Sequence, residues 1–180
     1  LIGTGALLTS STVTFAIPER AQAENALYYY EQARKRFLAN DLLGALSDLN
    51  IAIELDPDFS DAYKSRGNIL FTLFEDHYGA ISDFTRAIEI DPSDAGSYYY
   101  RGIAKSELGD YVEAISDFTS FIEIDPSFAH AYYLRGTVKL GMGDLPGACA
   151  DLRKAASLGD KDASNLLNQP GLIFFNTCGG

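Results

Sequence analysis

Two histidines, His77 and His130, and two cysteines, Cys149 and Cys178, are the side chains of this 180-residue sequence best suited to nucleophilic, acid–base or metal chemistry. Neither histidine has a serine, cysteine or second histidine at the spacing that local catalytic or metal motifs require. The cysteines are too few for a disulfide framework and too far apart for a zinc or CxxC site. Cys149 stands among Ala148, Ala150 and Leu152 and reads as a small buried hydrophobe, whereas a bridge to Cys178 would require the tail to fold back. Asp56, Asp91 and Asp125 each precede a proline, which marks turns at helix ends and not a catalytic carboxylate pair. Gly141, Gly143 and Gly147 are not followed by Lys-Ser/Thr, so no phosphate loop is indicated. The expectation is a non-enzymatic chain with no catalytic residues, no cofactor and no metal.

Composition narrows the partners. Fourteen Lys plus Arg against 25 Asp plus Glu give a net charge of -11, a field that repels nucleic-acid phosphates and anionic headgroups. With 47% hydrophobic residues, the chain has enough apolar material for one folded domain with a sizeable core.

The elements that hold these residues follow from an internal period. Asp-Pro recurs at Pro57, Pro92 and Pro126, spaced by 35 and then 34 residues, and Arg-Gly recurs with the same spacing at Gly67, Gly102 and Gly136. Ala45, Ala80 and Ala114 precede the prolines by twelve, and Ala148 continues the series without one. Within a unit, Ala114, Phe118, Phe121 and Ile122 recur at three and four, the spacing of one helix face, and Pro126 stops the helix. The preceding half runs from Tyr98 to Leu108 and ends at Gly109, which can take a left-handed capping conformation. Each unit is therefore helix, tight turn, helix.

These residues resemble the tetratricopeptide-repeat (TPR) family. Tyr63, Tyr98 and Tyr132 stand where the family's tryptophan is usual, followed by Gly67, Gly102 and Gly136. Ala45, Ala80, Ala114 and Ala148 then precede Leu49, Phe84, Phe118 and Leu152 by four residues, and the prolines close the units. The subtype implied carries Arg-Gly in each first helix. The fold implied is all-α: a right-handed TPR solenoid of about four helix-turn-helix repeats plus a C-terminal capping helix. The TPR domain spans 24–169, with repeats at approximately 26–59, 60–94, 95–128 and 129–162 and a cap at 163–169. Lys105 and Lys139 depart from the family's aromatic preference, and Gln32 and Ala33 replace Arg-Gly in the first unit. The second unit holds one extra residue, placed in the turn Phe74-Glu75-Asp76-His77.

By resemblance, the first helices line a concave groove that cradles an extended peptide or partner helix. The groove positions are Tyr30, Arg34 and Phe37; Lys64, Asn68 and Phe71; Tyr99, Ile103 and Ser106; and Tyr133, Thr137 and Leu140. Lys64 and Asn68 have the spacing of a clamp for a C-terminal carboxylate, but Tyr100, His130 and Leu134 do not complete it. Arg66, Arg101 and Arg135 need acids if they lie in helix interfaces. Asp48, Asp83 and Asp117 of the preceding units have the right phase, the alternative being that these are solvated surface acids.

Residues 1–17 are uncharged, Pro18 breaks the run, and Ala21-Gln22-Ala23 follows. That order reads as a signal peptide over 1–23 with export to a periplasmic or luminal compartment, the alternative being an uncleaved membrane anchor over 1–17. Residues 170–180 form an apolar tail around Gly171-Leu172-Ile173-Phe174-Phe175. The functional expectation is a protein-interaction scaffold or assembly factor binding a protein or peptide, with no nucleic-acid partner. The alternatives are a self-associating structural module, or the TPR portion of a larger enzyme.

Overall fold

A computed structural model describes residues 19–168, with side chains from residue 23 onward. Among the described residues the chain forms nine helices and no strand. They run α1 (Glu19–Leu38), α2 (Leu42–Leu55), α3 (Ser60–Phe74), α4 (His77–Ile90), α5 (Ala95–Leu108), α6 (Tyr111–Ile124), α7 (Ala129–Gly141), α8 (Leu145–Ser157) and α9 (Lys161–Leu167). Consecutive helices pair as four hairpins, α1–α2 through α7–α8, which stack in order, and α9 closes the end against α8. Because α3 touches α5 and α5 touches α7, the first helices make one layer of a solenoid. None of the helices is long and apolar enough to cross a membrane.

Local chemistry sets the helix ends. Asp41, Asp76, Asp144 and Asp160 are N-caps whose carboxylates accept from the backbone N–H three residues on, at 3.0, 2.9, 3.0 and 2.8 Å. First helices end at a left-handed residue: Gly109 (φ 85°) and Gly143 (φ 82°), but Asn40 (φ 62°) and Glu75 (φ 54°) in the first two hairpins. The extra residue of the second unit lengthens α3 to 15 residues against 14 in α5, leaving Glu75-Asp76 as the turn. Between hairpins, Asp91 and Asp125 fold the turn around themselves, accepting from the N–H and hydroxyl of Ser93 and Ser127. Those side-chain bonds, then the backbone ones, hold both carboxyl pKa values below the ordinary range.

Within each hairpin the helices touch through a small residue opposed to a large one. A Cβ on Gly67 would lie 3.0 Å from the Phe84 ring, one on Gly102 3.0 Å from Phe118, and one on Gly136 3.1 Å from Leu152. Phe118 thus fills space inside its own hairpin as well as toward the next. Ala45, Ala80, Ala114 and Ala148 are wholly buried, which lets the second helix approach. Cys149 is buried as expected, but its sulfur is disulfide-bonded and not a free thiol. Cys178, residues 1–18 of the expected signal peptide over 1–23 and the tail at 170–180 lie outside the described residues, while residues 19–23 begin α1.

Candidate peptide-binding groove

What holds the first helices in place is a repeated ion cluster, and its pairing corrects the sequence expectation. Arg66 does not pair with Asp48, nor Arg101 with Asp83, nor Arg135 with Asp117. Each arginine instead makes a bidentate pair inside its own hairpin: Arg66 with Asp83 (2.8 and 2.7 Å), Arg101 with Asp117 (2.9 and 2.6 Å) and Arg135 with Asp151 (2.9 and 2.7 Å). The guanidinium is long enough to reach backwards as well. Its third nitrogen donates to Asn50, Thr85 or Thr119, two residues beyond the acid of the preceding hairpin, at 2.7, 3.0 and 3.0 Å. Each arginine therefore ties two hairpins together. It also lies over the tyrosine three residues earlier, Tyr63, Tyr98 or Tyr132, at 5.6 to 5.7 Å from the ring centre.

The lysines that depart from the family pattern belong to the same cluster. Lys105 donates to Asp117 at 2.8 Å and Lys139 to Asp151 at 2.7 Å, so each of those buried acids has two cations. Leu70 occupies this place in the second hairpin, where Arg66 serves Asp83 alone. Hydrogen bonding to Asp83 raises the Arg66 pKa against the opposing effect of burial. In the first hairpin Arg36 fills the lysine position and lies 3.0 Å from Asp48 Oδ2, yet that oxygen is buried without an aligned hydrogen bond. The acids are 3 to 5% exposed, which rules out solvated surface carboxylates.

None of the twelve groove positions is buried. Arg34 and Phe37 are exposed and the other ten are half-buried. Several also staple one hairpin to the residue that opens the next first helix. Tyr30 meets Phe59 (4.9 Å between ring centres) and Tyr99 meets Phe128 (5.6 Å). Lys64 donates to Asp94 at 3.1 Å and is also 3.0 Å from Asp61, so this cation is committed within the chain and is not a solvated groove charge. Burial lowers the Lys64 pKa, but the bonds to Asp61 and Asp94 outweigh it and the net direction is up. At the last junction His130 Nδ1 lies 3.2 Å from Asp160 while its ring stacks on Tyr133. Burial, and then Tyr100 beside it, pushes the Tyr99 phenol pKa up. Phe71 packs on His77, Ile103 on the Phe118–Val138 cluster, and Leu140 on the C-terminal core. Thr137 donates to the Leu134 carbonyl, and Ser106 uses its carbonyl to receive the Gly109 N–H.

Sequence reasoning missed the staple partners Phe59, Asp94 and Phe128. Their signal was present: each stands two residues after the proline of an Asp-Pro turn. It missed a cavity as well. Ala33, Arg34, Phe37 and Leu38 of α1, Leu49 of α2, and Ser65, Asn68 and Ile69 of α3 line an open cavity of about 220 Å³ between the first two hairpins. Three of the twelve groove positions, Arg34, Phe37 and Asn68, line it, and the buried Asn68 Oδ1 has no hydrogen-bond partner.

Family models described as tetratricopeptide repeat match residues 30–95 and 84–116. The chain is a tetratricopeptide-repeat protein. Its fold is similar to a crystal structure of MamA at 25% identity, covering 81% of this chain and 84% of that one with a TM-score of 0.71. MamA residues 41-end from Desulfovibrio magneticus RS-1 match at 18% identity over 87% and 94% of the two chains, TM-score 0.72. The first TPR of Spaghetti (RPAP3), bound to the HSP90 peptide SRMEEVD, matches at 22% identity over 67% and 95%, TM-score 0.64. No curated protein matches the chain in sequence. In this TPR solenoid, the twelve positions occupy the layer of first helices, held at fixed spacing by the arginine clusters beneath them.

Proposed function

We propose that this TPR protein is an interaction scaffold that holds an extended peptide or partner helix along its first helices, as an assembly factor in an exported compartment. The observation that carries the reading is that all twelve first-helix positions keep accessible surface while the residues beside them are buried in a rigid frame. The peptide held by the TPR of Spaghetti supports it by likeness of fold alone. A carboxylate clamp gains no support, because Lys64 is already engaged by Asp61 and Asp94. The export reading rests on the uncharged leader before Ala21-Gln22-Ala23. The test is crosslinking capture from a native extract with the full chain and a Tyr99→Ala, Tyr133→Ala double variant. A partner held by the parent and lost by the folded variant supports the groove; equal recovery moves binding elsewhere.

Self-association is the second reading, favoured by one observation. Leu43, Tyr78 and Val112 recur at the same place in three successive second helices and are 71%, 75% and 64% exposed. If they join copies, light scattering shows a mass that rises with concentration and falls in a Tyr78→Ser, Val112→Ser variant.

A further inference from the structure

The four turns inside the hairpins share one edge of the solenoid, because α1, α3, α5 and α7 each turn back into an antiparallel second helix and the hairpins stack in order. His77 Nε2, 3.5 Å from Glu107 Oε2, links the second turn to the third along that edge. At the first two turns the edge is apolar. Leu38 is 84% exposed, and Leu43, Leu73, Phe74 and Tyr78 are exposed beside it. Contiguous large apolar side chains on a surface mark a place of contact.

Charge divides the same patch into two halves. The last turn of α1 is basic, with Lys35 and Arg36, while the second turn is acidic, with Glu75 and Asp76. Arg36 is engaged by Asp48, and Asp76 caps the Gly79 N–H. Lys35 and Glu75 are exposed and form no ion pair among the described residues. Glu75 also takes a left-handed backbone (φ 54°) where the third and fourth turns use Gly109 and Gly143. A side chain at that φ costs backbone energy that glycine avoids, which points to a use for the glutamate at the surface.

We propose that this edge is the interface of a symmetric dimer, covered by a second copy of the chain related by a two-fold axis between the first and second turns. The proposal rests on the self-association reading above and gives it a surface and a register. The axis lays the first turn of each copy on the second turn of the other. Leu38 and Leu43 then meet the apolar side chains around Tyr78 of the partner subunit, and Lys35 meets Glu75 of the partner subunit, both contacts occurring twice. Moving the axis along the stack, to the second turn or beyond it, sets Glu75 and Asp76 against their own copies or against Glu107 and Asp110. Like charges disfavour those registers.

Sedimentation equilibrium of the full chain tests the interface with Lys35→Glu and Glu75→Lys. The parent should show a monomer–dimer equilibrium. Each variant alone places like charges at both contacts and should weaken dimerisation at least about 10-fold. An equimolar mixture of the two variants pairs opposite charges at both contacts and should dimerise as the parent does. Tyr78→Ser should weaken the dimer, whereas Val112→Ser, at the third turn and outside the interface, should not. A parent that stays monomeric overturns the interface together with the self-association reading. A parent that associates, but is not weakened by either charge reversal or not restored by the mixture, overturns this interface alone and leaves self-association to another surface.

Discussion

The junction between the first two hairpins and the two junctions that follow use one helical frame but fill it differently. Later junctions place Phe84 against Tyr100 and Phe118 against Leu134, and their bridging arginines sit on buried acids at full bidentate geometry. The first junction has Leu49 and Ser65, and inside the first hairpin the acid Asp48 has only the less aligned, half-exposed Arg36. In a solenoid, stability is a sum of local units and their interfaces, so such differences stay local. The frame is thus uniform where it must keep spacing, and relaxed where a cavity opens on the groove side.

The sharpest way to break this comparison is to remove one cation from successive acids. Arg66→Ala strands Asp83, because Leu70 offers no second charge, and should cost about 3–5 kcal/mol by chemical denaturation. Arg101→Ala leaves Lys105 on Asp117 and should cost roughly half as much. Arg86, whose partners Asp58 and Glu89 are exposed, should give the smallest loss. Equal losses from Arg66→Ala and Arg86→Ala would show that the buried pairs do not hold the stack.

Next in size is the contact inside a hairpin. Gly102→Ala puts a Cβ 3.0 Å from the Phe118 ring and should cost about 1–3 kcal/mol. The first hairpin already carries the relaxed combination, Ala33 with Leu49. Adding Phe118→Leu to Gly102→Ala should therefore cost less than the sum of the two single changes, a coupling that a double-mutant cycle measures. Strict additivity would mean that the glycine and the ring are not matched to each other. Smaller again is Ser65→Tyr, which fills space that already exists and should raise stability by about 1 kcal/mol. A loss of that size would mean that the opening cannot take a ring.

Much of this was legible in the sequence, and the misses share a physical reason. Four markers on one period gave the hairpins, their turns and the first-helix face. Residue phase also showed that Arg66, Arg101 and Arg135 needed acids, but phase cannot say which neighbour a long guanidinium serves, and these serve both. Lys105 and Lys139 looked like departures because an aromatic was expected, whereas they are second cations on a buried carboxylate. Lys64 looked available because spacing says nothing of Asp94, thirty residues on. The cavity is the clearest case: Leu49 and Ser65 were visible in register with Phe84 and Tyr100, but a void is a property of what surrounds it.

The smallest expected effect concerns the inter-hairpin staples, which alternate between aromatic contact and charge. Tyr30–Phe59 and Tyr99–Phe128 do not depend on a proton, whereas Lys64–Asp94 does. Because the folded Lys64 pKa is raised above its unfolded value, its contribution is fully present below the unfolded lysine range and is lost as pH climbs through the folded pKa. Tyr99, also raised, acts in the same direction, since its neutral phenol is the form that the fold favours. Lys64→Met should therefore flatten part of the alkaline loss of stability and leave the part due to Tyr99, while the acid limb should change only slightly, since Lys64 is the least of the causes that lower the Asp91 pKa. Asp91 and Asp125 contribute to that limb, since their lowered pKa values give a contribution present above the unfolded carboxylate range and lost as pH falls through the folded values. Alkaline limbs of parent and variant that run parallel would mean that the charged staple adds nothing beyond the packing of its methylene stem.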